Sequence, residues 1–274
     1  MTTIKQVLTV TSLSFTSVLC AVLLVFAPLS AAQAGEFDII NKSFSRPPFS
    51  NSLPSFAPAI SADGQTIVYE TYALIAPRGH SLYMDVVIYD IDSTGAESSV
   101  SLGGGADGHS ASADVSGDGR YVAFYSQASN LSSDDANGNL TNVFVYDRDN
   151  NVYEVITPDQ DWDDLETGRY RRPEGRVRIS GNGRFVAFFS QASNLTATPN
   201  PQNIRHLYLW DRDEQTLTRV TEGADRVSDA VDISDDGTWL VFSSKATNLL
   251  GTEQTSGDNL YLYNTASGDL SLVP

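Results

Sequence analysis

Short apolar segments alternate with polar turns along most of the chain, and one pattern punctuates them four times. The pattern reads Ser-x-Asp/Asn-Gly and occurs at 61–64, 116–119, 180–183 and 234–237. A short strand is predicted to end at the Ser of each copy, at 58–61, 113–116, 177–180 and 231–234. A longer strand is predicted after each copy, at 66–70, 121–125, 185–189 and 239–243. In the later copies the longer segment is apolar at consecutive positions, which is typical of a strand covered on both faces.

Two further strands complete each copy. The third strands are predicted at 86–89, 143–146, 207–210 and 260–263, and the fourth at 98–102, 152–156, 217–220 and 270–273. The repeats therefore cover about 57–102, 112–156, 176–220 and 230–273, with periods of 55, 64 and 54 residues between the Asp/Asn positions. This predicts an all-β fold, a β-propeller of about four four-stranded antiparallel blades that is closed or nearly closed.

Closure of the ring has an alternative. Four blades are few for a propeller, and Phe37–Ile40 looks like one more strand upstream of the first repeat. The chain could instead form an open arc whose exposed edges pair with another copy, because unpaired strand edges favour association. The protein is thus expected to be a monomer or to self-associate through these edges.

The segment 116–126 and its near copy at 180–190 carry a family resemblance. Each continues into Gln-Ala-Ser-Asn-Leu, and a third version, Lys-Ala-Thr-Asn-Leu, follows at 245–249. These residues resemble the Pro-Asp type repeat of TolB-like propellers of the bacterial envelope, which are relatives of WD repeats. The resemblance covers 57–274 and implies a propeller in the cell envelope. The domain that precedes the propeller in TolB has no counterpart here, so TolB's own role is not carried over.

The first 34 residues have the features of a signal peptide. Lys5 precedes an apolar stretch from Val18 to Phe26, and Ala32-Gln33-Ala34 forms a small-x-small cleavage pattern. The alternative is an uncleaved anchor. We expect residues 35–274 to be a single propeller domain with no cysteine, because Cys20 lies in the leader. The expected location is the periplasm or the extracellular medium.

The charge balance excludes some partners. The chain has 34 Asp and Glu against 17 Lys and Arg, a formal net charge of −17. Such a chain repels phosphate backbones and anionic lipid headgroups, so nucleic acid and membrane surfaces are not expected partners. No membrane span is expected in residues 35–274.

Two candidate sites follow from the connectivity. Loops between second and third strands and blade-to-blade connections share one face, which we call the long-loop face, and exposed loops on a rigid scaffold often carry binding residues. Its first candidate is the connection 158–175, which holds residue types that anchor interfaces, namely Trp162, Arg169, Tyr170, Arg171 and Arg172. The second is at the propeller axis, where Asp114, Arg178 and Asp232 occupy equivalent positions on the first strands; they could bind a small ligand or pair with each other.

Signals for catalysis and metal binding are weak. The three histidines have no metal-ligand spacing, and His206 aligns with Asp85, Asn142 and Asn259, which indicates a structural role. Residues 135–139 faintly resemble a calcium loop without its downstream glutamate, so no cofactor is expected and calcium is the one alternative. The sequence favours a non-catalytic exported scaffold that binds a protein, peptide or glycan through its long-loop face. The alternative is a small hydrolase or lyase with a polar site at the axis.

Overall fold

A computed structural model describes residues 55–71, 83–91, 97–99, 106–161, 176–251 and 257–274. These residues form sixteen strands in four antiparallel sheets, and the described part of the chain contains no helix. Each sheet uses four strands that are consecutive in sequence and adjacent in space. The predicted all-β propeller of four four-stranded blades is confirmed.

The strands are numbered in chain order, four to a blade. Blade 1 contains β1 (Ser55–Ile60), β2 (Thr66–Thr71), β3 (Asp85–Asp90) and β4 (Glu97–Ser99). Blade 2 contains β5 (Ser110–Val115), β6 (Tyr121–Ser126), β7 (Asn142–Asp147) and β8 (Val152–Val155). Blade 3 contains β9 (Arg178–Ile179), β10 (Phe185–Ser190), β11 (His206–Asp211) and β12 (Thr216–Arg219). Blade 4 contains β13 (Ser228–Ile233), β14 (Trp239–Ser244), β15 (Asn259–Asn264) and β16 (Leu270–Leu272).

The central strands of each blade agree with the sequence pattern, whereas the first strands differ. β1, β5 and β13 begin earlier than predicted, because each contains an irregularity in its pairing with the second strand. In β1 and β5 the irregularity includes a residue with positive φ, Ala57 at 47° and Ser112 at 56°. Such a bulge interrupts the alternation from which strands are predicted.

Side chains of neighbouring blades interlock, which explains the apolar runs on the second strands. Val122 and Phe124 pack toward blade 1, in a cluster that includes Val68. The alternate residues Ala123 and Tyr125 pack toward blade 3. Full burial of a side chain such as Phe124 contributes about 2–3 kcal/mol, so each second strand stabilises two interfaces at once.

Blade 4 differs from the others on the face directed away from blade 3. Trp239, Val241 and Leu260 lie on this face and are 42, 36 and 50% exposed. The equivalent residues of β10, Phe185 and Ala187, are buried against blade 4. Within the described residues, the blade-to-blade packing is therefore not repeated here, at the end where an open arc was the alternative.

The Ser-x-Asp/Asn-Gly pattern forms the turn between first and second strands. In blade 2 the Ser116 hydroxyl donates to Asp118 Oδ1 over 2.7 Å and accepts from the Tyr121 amide over 2.9 Å. Adjacent turns also hydrogen-bond to one another, as in the 2.8 Å bond from the Gly117 amide to the Gly181 carbonyl. A Cβ at Gly181 would lie 2.9 Å from the Cβ of Asp235, so glycine is required for the close approach of these turns.

Candidate functional site

The strand order places two different surfaces at the ends of the propeller. One face carries the first-to-second and third-to-fourth turns, and we call it the short-turn face. The long-loop face carries the second-to-third loops and the blade-to-blade connections, including the described loops 127–141 and 191–205. First strands of adjacent blades contact each other, β1 with β5, β5 with β9 and β9 with β13, and so line the axis between the two faces.

A repeated clamp holds the connections on the long-loop face. Asp225 accepts hydrogen bonds from the Thr247 amide and hydroxyl over 2.8 and 2.9 Å. Asn248 accepts from the Asp225 amide over 3.1 Å and donates to the Gly223 carbonyl over 2.8 Å. These bonds to the carboxylate lower the pKa of Asp225, the Thr247 amide contributing most. The clamp thus joins each connection to the loop of the following blade.

The same clamp recurs at two other junctions and explains the repeated Ala-Ser/Thr-Asn-Leu. Asp107 binds Ser129 and Asn130, and Asp161 binds Ser193 and Asn194, in the same arrangement. Asn130 and Asn194 stand in Asn-x-Ser/Thr triplets, and these contacts give each of them a structural use.

The connection between blades 2 and 3 has extra residues after its clamp residue, Asp161. Asp107 and Asp225 lie nine residues before the serine of the next turn, whereas Asp161 lies nineteen residues before Ser180, which places a ten-residue insertion between Asp161 and β9. The predicted binding residues of this insertion, Trp162, Arg169, Tyr170, Arg171 and Arg172, lie outside the described residues. Their role stays a prediction.

The three predicted axis residues come together between blades 2, 3 and 4. Arg178 Nε lies 3.3 Å from Asp232 Oδ1, and Asp114 Oδ2 accepts the Ile179 amide over 3.0 Å. Burial raises the pKa of Asp114, with the Ile179 hydrogen bond and the nearby Arg178 charge acting in the opposite direction. The arrangement includes the pairing that the sequence suggested, and whether these residues also bind a ligand stays a prediction.

A cleft of about 600 Å³ lies beside Arg178, between blades 3 and 4 on the long-loop face. Four cationic residues and one acidic residue line it, namely Arg176, Arg178, Arg205, Lys245 and Asp229. Val227, Ala230 and Val231 form an apolar wall. Sequence reasoning found only Arg178 of this set.

Backbone hydrogen bonds across the blade 3–blade 4 junction build the cleft. The Ser228 amide donates to the Arg205 carbonyl, and the Lys245 amide donates to the Val227 carbonyl, both over 3.1 Å. Arg205 Nε returns a 3.0 Å hydrogen bond to the Ser228 carbonyl, and its side chain also binds Asp229. Lys245 Nζ lies 3.5 Å from the other oxygen of Asp229, so one carboxylate neutralises parts of two cations.

The same junction between blades 1 and 2 shows what the scaffold itself requires. There the Ser110 amide donates to the Met84 carbonyl, and the Gln127 amide donates to the His109 carbonyl. Met84, Ala111 and Gln127 thus occupy the positions of Arg205, Asp229 and Lys245, and all three are buried. Because these three positions are neutral between blades 1 and 2, the charges that line the cleft at the same positions are an addition to the repeat. This comparison of repeats is the signal that sequence reasoning missed.

The described histidines and the acidic loop have structural partners. His109 Nδ1 accepts the Met84 amide over 2.8 Å, and His206 Nδ1 lies 3.1 Å from the Thr221 hydroxyl. Burial lowers both pKa values, that of His206 to about 4 with help from Arg219, so His206 is neutral at pH 7. Asp135 accepts from the Asn142 side chain over 2.9 Å and from the Asn137 amide over 3.3 Å. Calcium binding by this loop stays an untested expectation.

The described residues contain no cluster of metal ligands and no membrane-spanning helix. Among them, no group of three or more His, Cys, Asp or Glu side chains could hold a metal ion. A helix of the length and apolarity of a membrane span is also absent from this part of the chain.

Comparison with known proteins supports the fold. No protein-family model and no curated protein matches the chain. Solved structures do match, and TolB structures are among them. TolB from Acinetobacter baumannii is 16% identical, with 82% of this chain and 44% of that chain covered and a TM-score of 0.49. A puromycin hydrolase is 13% identical, with 80% and 28% covered and a TM-score of 0.52.

A puromycin-hydrolyzing peptidase of Mycobacterium tuberculosis is a third similar structure, 13% identical with a TM-score of 0.49. The match covers 79% of this chain and 28% of the peptidase chain. The chain spans less than half the length of each of these three proteins. At these identities the likeness concerns the fold alone, which is a β-propeller.

Proposed function

We propose that this protein is an exported, non-catalytic propeller that binds a protein or peptide partner through its long-loop face. The observation that carries the proposal is the charged cleft on that face, at positions where the repeat is neutral between blades 1 and 2. The clamps of Asp107, Asp161 and Asp225 hold the surrounding loops in place, and a preorganised surface loses less entropy on binding. Export rests on the predicted signal peptide, residues 1–34.

Site-specific crosslinking tests which face meets the partner. A photoreactive amino acid replaces Ala197 on the long-loop face or Ala266 on the short-turn face, in the full chain expressed in its own host. Both alanines are exposed, so neither change disturbs the core. We expect protein adducts from position 197 and none from position 266. Equal labelling from both positions, or labelling from position 266 alone, would contradict the proposal.

Shortening the insertion tests the predicted contribution of Trp162 and its neighbours. Deleting residues 162–171 would restore the nine-residue spacing seen after Asp107 and Asp225. If the insertion contributes to binding, the adducts at position 197 should decrease while the melting temperature is retained. Unchanged adducts would remove the insertion from the binding surface.

One observation favours the alternative, an enzyme with a polar site at the axis. Burial raises the pKa of Asp114, and raised carboxyl pKa values occur at sites of acid–base chemistry. Asp114→Asn removes the titrating group while keeping its size. An axis enzyme predicts a hydrolase or lyase activity that this variant abolishes, whereas a binding scaffold predicts unchanged adducts at position 197.

A further inference from the structure

The cleft reverses the charge of the molecule around it. Lys and Arg together number 17 in the chain and Asp and Glu 34, yet four of the cations and one of the acids line this cleft. A concave surface of one sign concentrates ligands of the opposite sign. The cleft is therefore suited to an anion even though the whole protein is acidic.

Three of the four cations of the cleft form ion pairs with acidic side chains. Asp229 is shared by Arg205 and Lys245, and Arg178 is paired with Asp232. Lys245 also lies 4.0 Å from the exposed Asp258. Arg176 is exposed and has no ion pair among the described residues. Arg205 is 7% exposed, so its charge acts in a partly desolvated setting, where electrostatic attraction is stronger than in water.

The surroundings of these cations restrict the kind of anion. A net charge of −17 opposes polyanions such as nucleic acids, because each of their many phosphates is repelled by the acidic chain as a whole. A single carboxylate meets less repulsion, and the planar guanidinium groups match its two oxygens. The wall of Val227, Ala230 and Val231 favours an apolar group beside that carboxylate. A volume of about 600 Å³ accommodates one or two amino-acid residues.

We propose that the cleft between blades 3 and 4 binds the free C-terminal carboxylate of a peptide, with the last side chain against the apolar wall. This inference rests on the proposed function and names the chemistry recognised on the long-loop face. Arg176 and Lys245 contact the carboxylate, while Arg205 and Asp229 hold Lys245 and the strand β13 in position. The peptide chain leaves through the mouth of the cleft toward the clamped loops.

Fluorescence anisotropy with two matched probes tests the carboxylate. The probes are N-terminally labelled pentapeptides ending in Ala-Leu, one as the free acid and one as the amide. We expect the acid to bind about ten-fold more tightly than the amide, with the difference decreasing at high salt. Equal affinities, or no binding of either probe, would overturn the proposal. Displacement of the acid by equimolar inorganic phosphate or glucuronate would also overturn it, because the cleft would then be a general anion site.

Variants copied from blade 2 locate the binding. Arg176→Ser and Lys245→Gln introduce the residues that blade 2 carries at the same positions, Ser112 and Gln127. Each should weaken binding of the acid by about three- to ten-fold and leave the amide unchanged. Arg226→Gln is the matched control, because Arg226 is an exposed cation next to Val227 but does not line the cleft. An equal loss in all three variants would contradict a specific site.

A triple variant separates a loss of peptide binding from a loss of protein stability. The triple change Arg205→Met, Asp229→Ala and Lys245→Gln installs the whole set found between blades 1 and 2 and removes two cations with their shared acid. It should abolish the preference for acid over amide while the melting temperature stays close to that of the wild type; a retained preference would contradict the proposal. Crosslinking from position 197 separates the two hypotheses. Adducts that survive Arg176→Ser and Lys245→Gln would leave the long-loop face as a binding surface and reject only its recognition of a carboxylate.

Discussion

The two faces of this propeller use arginine in opposite ways. On the short-turn face, Arg120 and Arg184 each form two hydrogen bonds to an aspartate of the same blade, Asp147 and Asp211. On the long-loop face, four cations surround a cleft that contains one acid. In the first arrangement each arginine binds an aspartate of its own blade, whereas in the second Arg205 and Lys245 share Asp229 and Arg176 has no ion pair among the described residues.

The short-turn face also uses arginine to join blades. Arg148 binds both oxygens of Asp90 in blade 1, and Arg212 binds Glu154 in blade 2 while covering the ring of Tyr121 at 4.0 Å. Each of these contacts joins side chains of one blade or of two neighbouring blades, so these charges stabilise the fold. The difference between the faces indicates that structural charge and ligand-binding charge are separated in this molecule. Substitutions on the two faces should therefore differ in how much they change the free energy of unfolding.

The largest effect is expected where the turns approach each other. Gly181→Ala places a Cβ 2.9–3.0 Å from the backbone and Cβ of Asp235, so blades 3 and 4 must separate, and we expect a loss of about 3 kcal/mol. Gly223→Ala, on the long-loop face, meets no atom within 4 Å and has a φ of +72°, so it should cost only about 1 kcal/mol. Chemical denaturation measures both values. Equal losses would show that the turn contacts do not limit stability.

The clamps should come next. Asp225→Ala removes the acceptor of two hydrogen bonds from Thr247 and should destabilise the protein by about 2 kcal/mol. Asp213→Ala is the control on the short-turn face. Asp213 lies 3.4 Å from Arg184 in an exposed ion pair, so its loss should change the free energy of unfolding by less than about 0.5 kcal/mol. A larger loss from Asp213→Ala would reverse the comparison, because the long loops would then be less firmly held than the turns.

Acid should weaken the short-turn face more than the cleft. Hydrogen bonds from Arg120 lower the pKa of Asp147 to about 2, so the native state binds fewer protons than the unfolded state between about pH 4 and pH 2. The stabilisation is present above pH 4 and is lost as pH falls through 2. Arg120→Gln should reduce this pH dependence, whereas Arg176→Ser should leave it unchanged. Urea denaturation at pH 2, 3, 4 and 6 provides the measurement, and identical profiles would contradict the assignment.

The smallest effects are expected in the cleft. Arg176 has no ion pair among the described residues, and Lys245 is 49% exposed, so Arg176→Ser and Lys245→Gln should each change the free energy of unfolding by less than about 0.5 kcal/mol. Both substitutions should instead weaken binding of the peptide carboxylate. A loss above 1 kcal/mol from either would place these cations with the structural arginines, and the contrast between the two faces would disappear.

Much of the fold could be predicted from local pattern. The four Ser-x-Asp/Asn-Gly turns and the second and third strands are recognisable because hydrogen bonds within five residues, such as those of Ser116, hold each turn together. The first strands were less predictable, since the bulge at Ser112 depends on pairing with β6. Of the residues that line the cleft, the sequence pattern indicated Arg178 alone.

The sequence by itself determined the repeat, its strand order and the separation of short turns from long loops, because these depend on residues that are close along the chain. Only the tertiary structure decided that Arg176, Arg205 and Lys245 line one cleft, although they are about seventy residues apart from first to last. The packing of blade 3 on blade 4 brings them together, and no period within one repeat encodes that contact. The same packing gives three positions of the repeat two uses, because they are neutral and buried between blades 1 and 2 and charged where blades 3 and 4 form the cleft.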